Sequence, residues 1–197
     1  MSTPPTPASF LKAATRAEHE ATENLLAVGK LLQGPVDPQH YEAIVRTMHA
    51  AWSGLAAAPA FAAAEWAGYR RLALELAAAA ERDLMVLTAL PEQAAVAYPE
   101  PFSPDQCFGA AYVQFGSLLG GTVIYRTLAA AGTLPAGALN FYAACARYGG
   151  GQWRGFVAEL NDYCIRTGAG AQVPGELLEQ ALLTFRYYRR LFAELRP

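Results

Sequence analysis

Charge is scarce in this chain. Of its 197 residues, 16% are Asp, Glu, Lys or Arg, against roughly 25% in an average soluble domain. Neither sign dominates: 15 basic residues face 17 acidic ones, for a formal net charge of −2. Without a basic excess there is no electrostatic footprint for nucleic acid. Cysteine is equally sparse. Cys107, Cys145 and Cys164 are unclustered and form no CxxC pair, which excludes a disulfide framework and a thiolate zinc site and favours a reducing compartment. The opening MSTPPTPASF lacks the basic start and apolar core of a secretory signal. Phe108–Tyr125 is free of charge, but it holds Gln114, Ser117, Thr122 and four glycines. At a length near the lower limit for a membrane span, it reads better as a buried helix. The expectation is a cytoplasmic protein with no membrane span and no nucleic-acid partner.

What is present is apolar and helical. Hydrophobic residues make up 53% of the chain, too many for a disordered one. Alanine and leucine, both strong helix formers, dominate, and no run reads as a strand bounded by hairpin turns. The length suits one domain. Residues 1–8 read as a flexible tail and 9–197 as a single all-α domain. Ser9 is the expected N-cap of a first helix from Phe10, ended by Gly34–Pro35. Asp37–Pro38 starts a helix to about Leu55. Pro59 interrupts the alanine-rich run, and helix resumes to about Ala80. A shorter piece reaches Leu90, where Pro91 stops it. Pro99, Pro101 and Pro104 mark an extended loop. A long helix then covers Pro104 to Ala131, closed by Gly132, and helices near 135–148, 152–167 and 175–195 follow.

Lys12, Arg16, His19 and Glu23 fall at i, i+4, i+7 and i+11, one narrow face of a helix. Two cations stand at the N-terminal end, where the helix dipole disfavours them. One reading is a site for a ligand with anionic groups at one end and a metal at the other. His19 would bind the metal, Lys12 and Arg16 would pair with carboxylates, and Glu23 would orient the imidazole. The other reading is a solvated face laced with ion pairs. A second segment, Tyr112-Val-Gln-Phe-Gly116-Ser117-Leu-Leu-Gly120-Gly121, carries three glycines inside a helix, each costing about 1 kcal/mol relative to alanine. Gly116 and Gly120 share a face with Tyr112 and Val123. Such a face lets the backbone approach a flat, wide ligand; alternatively it makes a tight GxxxG helix crossing, to which Gly121 adds little. No strand precedes these glycines and no GKS or GKT follows, which argues against a phosphate loop.

These two segments resemble the heme oxygenase family. Leu11-Lys12-Ala-Ala-Thr15-Arg16-Ala-Glu-His19-Glu-Ala-Thr-Glu23 is similar to its proximal motif LKxxTxxxHxxxE, and GSLLGG at 116–121 is similar to the bacterial form of its distal glycine helix. Tyr148-Gly149 with Trp153 and Phe156, and Thr184-Phe185 with Leu191-Phe192, extend the resemblance over most of the chain. It implies a multihelical bundle with heme, both substrate and cofactor, between the two helices. His19 would be the axial iron ligand. Lys12, Arg16 and Tyr112 would contact propionates, and Glu23 would stand behind His19. Gly116, Gly120 and Gly121 would line the distal face, where Gly116, Ser117 and Gly120 would serve catalysis. The implied reaction yields biliverdin, carbon monoxide and ferrous iron, with electrons from a ferredoxin or reductase, since no flavin or NAD fingerprint is present. A biliverdin-accepting phytochrome is an implied partner. The sequence departs from the pattern in three places: Ser117 stands where animal members have Asp, Phe115 where bacterial members often have Glu, and Val157 at a basic propionate anchor. These departures keep open a non-catalytic tetrapyrrole-binding protein.

The remaining residues read more plainly. His40 follows a helix start and His49 is mid-helix. No Glu-x-x-His pair exists for a di-iron site, since Arg16 and Arg46 precede His19 and His49. A cysteine nucleophile, as in thiamin-degrading enzymes of related architecture, lacks a His or Lys neighbour in sequence. Tyr187-Tyr188-Arg189-Arg190 reads as a solvated, partly packed face of the last helix.

Overall fold

Helix starts and stops follow from capping chemistry. A computed structural model describes residues 6–33, 35–87 and 95–195, and no strand occurs among them. The expected stop at Gly34, the piece ending at Leu90 and the break at Pro91 fall on residues outside this set. The first helix, α1 (Pro7–Ala14), begins earlier than Ser9 suggests. Thr6 is its cap, in a reciprocal box: Ser9 N–H donates to Thr6 Oγ1 at 3.2 Å and Thr6 N–H to Ser9 Oγ at 2.7 Å. Pro7 occupies the first turn, where its missing N–H costs nothing.

The single first helix expected from the sequence is two helices. Thr15, at φ −98° and ψ 2°, separates α1 from α2 (Arg16–Leu25). Its hydroxyl donates to Leu11 C=O at 2.8 Å, a back-bond that bends helices. The backbone bonds Thr15 N–Leu11 O and His19 N–Thr15 O persist, so the axis kinks without opening. Ala27, with φ 47°, then turns the chain into a 3₁₀ segment at Val28–Leu32.

Helix α3 (Pro38–Ala57) is capped by Asp37, as expected from the sequence. After Pro59 the chain makes two 3₁₀ turns, Pro59–Ala62 and Ala64–Trp66, before α4 (Ala67–Val86). Ser103 caps α5 (Pro104–Ala131), and Gly132 at φ 61° closes it, matching the expected bounds. Helix α6 (Asn140–Arg166) is continuous, where two helices were expected around Gly149-Gly150-Gly151. Its start is fixed by buried Asp83 of α4, which accepts from Asn140 N at 2.7 Å and Phe141 N at 2.9 Å. The last helix, α7, spans Gly175–Leu195.

Helix α5 packs between α6 and α7 in the middle of the core and reaches α3 through side chains. By length and composition it is the one described helix apolar enough to cross a membrane, yet 67% of its apolar window is buried inside the protein. Phe115 is fully buried and meets Trp52, Tyr69 and Phe156 at ring centroid distances of 5.7, 4.8 and 6.4 Å. Gln114 donates to Ala51 C=O of α3 at 3.1 Å and accepts from the buried Tyr188 hydroxyl of α7. Buried polar groups are thereby satisfied and fix the rotation of α5 about its axis.

Candidate functional site

Helices α1, α2, α5 and α7 carry the candidate residues. The cations of the stripe are exposed on either side of the Thr15 kink: Lys12 on α1 and Arg16 on α2, the latter held to Glu20 at 2.7 Å. One helical turn further, the His19 side chain is 54% exposed. Its Nδ1 lies 3.5 Å from Glu23 Oε2, and its ring meets the edge of Phe185 of α7 at 5.7 Å. Glu23 is therefore placed to hold one ring nitrogen and leave the other free.

On the glycine helix, exposure is confined to one face. Tyr112 is buried and lies within hydrogen-bond reach of the Thr15 side chain. Burial pushes its phenol up, and the Thr15 contact partly offsets the rise. Gly116 meets Trp153, where a Cβ would approach the indole at 3.5 Å. Around Gly120 a Cβ would meet nothing within 4 Å, and its neighbours Leu119 and Val123 are 40% and 53% exposed. Leu119, Gly120 and Val123 thus make an open, largely apolar patch in the middle of a mostly buried helix.

The four glycines of α5 that precede Gly132 therefore do different things. A Cβ on Gly109 would lie 2.2 Å from Leu177 O of α7, and one on Gly121 would lie 2.7 Å from Cys145 Cβ of α6. Gly149 of α6 answers Gly121: a Cβ on it would lie 2.9 Å from Leu118 O and 2.8 Å from Thr122 Oγ1. The tight crossing that was the alternative at Gly116 and Gly120 falls instead on Gly121 and Gly149, while Gly120 opens outward.

The stripe and the glycine face meet twice. Thr15, between Lys12 and Arg16, reaches Tyr112, one turn before Gly116. Both helices also border the same stretch of α7: His19 lies on Phe185, and Ser117 lies within hydrogen-bond reach of Tyr188. The Ser117 hydroxyl donates to Gln114 C=O at 2.7 Å. Tyr187 and Tyr188 are buried and Arg189 is half-buried against α2, so of the cluster read as a solvated face only Arg190 is exposed. Phe185 belongs to the resemblance; its contact with His19, and that of Arg189 with α2, had no signal in residue spacing. Val157 is half-buried against the core and Arg154 is exposed.

Other chemistries find less support. Among the described residues, no group of three or more His, Cys, Asp and Glu could hold a metal ion. The three thiols are buried, and desolvation pushes each up, Cys107 to about 11, the reverse of an activated nucleophile. His49 is half-buried and its imidazole is pushed down by desolvation. His40 packs edge-on against Phe192 at 6.3 Å. His19 is thus the one exposed imidazole of the three, with the exposed cations Lys12 and Arg16 within two turns of it along the chain.

No curated protein matches the chain in sequence. A family model described as heme oxygenase matches residues 6–194, from the capping threonine of α1 to the last turn of α7. That match takes in the stripe, the glycine face and the α7 wall together, and the chain belongs to the heme oxygenase family.

Proposed function

We propose that this protein binds heme between α2 and α5 and oxygenates it to biliverdin, carbon monoxide and ferrous iron, with electrons from a separate ferredoxin or reductase. The observation that carries this reading is the open glycine face of α5, exposed at Leu119, Gly120 and Val123 and joined through Tyr112 to the His19 helix. Bound there, heme supplies both the iron that takes dioxygen and the macrocycle that is oxidised.

The protein's own part follows from the residues. One nitrogen of His19 would hold the iron while Glu23 accepts a hydrogen bond from the other, which would fix the ring's tautomer and raise its donor strength. Lys12 and Arg16 pair with the propionates; Arg16 turns from Glu20 to do so, an exposed contact of small worth. Gly116 and Gly120 would let the α5 backbone approach the flat ligand and limit the space over it by shape. Leu119 and Val123 shed water when covered. Ser117, whose hydroxyl proton already goes to the Gln114 carbonyl, puts no acidic proton donor on this face. A phytochrome apoprotein is a suitable acceptor for the biliverdin.

The test is hemin titration followed by turnover. A Soret band that disappears in His19→Ala, then biliverdin absorption on adding ascorbate or reduced ferredoxin in air, is the expected result. No His19-dependent band ends the heme reading. A band without biliverdin leaves a non-catalytic tetrapyrrole binder.

A further inference from the structure

We propose that Glu18 and Arg189 form a clamp that sets the position of the His19 imidazole, an inference that rests on the heme reading above. Helix α2 has little else to anchor it: its ten residues read RAEHEATENL and only Thr22 is buried. Apart from the His19–Phe185 ring contact, its attachment to α7 is polar and concentrated on Glu18 and Thr22, one turn apart and on either side of His19 in sequence. Glu18 Oε2 meets Arg189 Nη2 at 2.5 Å and Glu18 Oε1 meets Arg186 Nε at 3.0 Å. Arg189 Nη1 also donates to Glu18 C=O and to Thr22 Oγ1, both at 3.2 Å. Thr22 Oγ1 donates to Glu18 C=O at 2.7 Å and lies 3.5 Å from Phe185 C=O, the residue whose ring touches His19.

One guanidinium thus grips a carboxylate, a backbone carbonyl and a hydroxyl, a planar fork that lysine cannot reproduce. The carboxylate is one-fifth exposed and Arg189 about one-quarter, so the pair is more shielded than Arg16–Glu20, at 78% and 55%. His19 makes no comparable bond of its own beyond Glu23. How far its ring stands from the glycine face is therefore decided by where α7 holds Glu18 and Thr22. Glu18 and Arg189 are positioning residues acting through α2.

The test uses the full chain loaded with hemin, in the variants Glu18→Ala and Arg189→Lys. The second keeps the charge and guards against loss of folding in the first. Expected are a retained Soret band, transfer of hemin to apomyoglobin about ten-fold faster or more, and a shifted or broadened iron–histidine stretch in the resonance Raman spectrum of the ferrous complex. A general loss of stability would not shift that stretch. Wild-type release rates and an unchanged stretch in both variants overturn the clamp while the heme reading stands. A band that persists in His19→Ala overturns the heme reading, and the clamp with it.

Discussion

Helices α2 and α5 bring opposite physics to one site. Helix α5 is apolar and close-packed, with thirteen buried residues from Cys107 to Leu128, and it meets its neighbours at glycine contacts too tight for a Cβ. Helix α2 is polar, buries Thr22 alone and is attached by ions and hydrogen bonds. Stability is therefore concentrated on the glycine side and adjustability on the histidine side. A site that must admit a large flat ligand is well served by one fixed wall and one that is pinned at few points, since binding elements are drawn from the less stable parts of a fold.

The sharpest way to break this contrast is to empty the fixed wall. Phe115→Ala removes a fully buried ring from among Trp52, Tyr69 and Phe156 and should cost about 3–5 kcal/mol, read by urea unfolding. His19→Ala, exposed on the other wall, should stay within about 0.5 kcal/mol of the parent while hemin binding is lost. Next in size is the crossing of α5 and α6. Gly121→Ala places a methyl 2.7 Å from Cys145 Cβ, and overpacking of this kind costs about 1–3 kcal/mol. The same thermal or urea measurement should show the loss with or without hemin.

Acid should separate the walls in a different way. Burial raises the Glu18 carboxyl, but hydrogen bonds and charges from Arg189 and Arg186 outweigh it, and the group lies below its ordinary value of 4.5. A depressed carboxyl contributes stability that is full above its unfolded value and falls away as pH drops through the folded one. Docking of α2 should therefore be unaffected from neutrality down to about pH 5 and weaken below that. Amide hydrogen exchange should show α2 losing protection in acid before the middle of α5 does. Simultaneous loss in both helices would mean that the two walls are one cooperative unit.

How much of this was legible in the sequence depended on whether the signal was local. Asp37–Pro38, Pro104 and Gly132 mark their helix ends through chemistry within four residues, and those bounds were readable. Thr15 and Gly149 misled because their roles lie elsewhere. The threonine hydroxyl kinks a helix that periodicity alone treats as straight. Gly149 looks like a break, yet α6 runs through it because a residue without Cβ lets Leu118 and Thr122 come close. The stripe was visible from spacing, and the resemblance gave it a ligand. The α7 wall behind it was not visible as a site feature, because Glu18 and Arg189 are 171 residues apart and no periodicity links them.

The smallest expected effect on stability is the most informative, because its sign is reversed. Gly120 has the same residue type as Gly121 and is its neighbour, yet a Cβ on it meets nothing within 4 Å. Alanine there has no clash to relieve, and it removes the helix penalty of glycine, so Gly120→Ala should stabilise the ligand-free protein by up to about 1 kcal/mol. If the face exists to admit a heme, the same methyl occupies the space where the distal side of the ligand belongs, and hemin affinity or the Soret position should change even as the melting temperature rises. Stability gained together with binding impaired assigns Gly120 to function, because a glycine kept for packing would lose both. A Gly120→Ala protein that is more stable and binds hemin as the parent does would instead leave this glycine with no role in the site and move the ligand-facing surface toward Gly116 and Trp153.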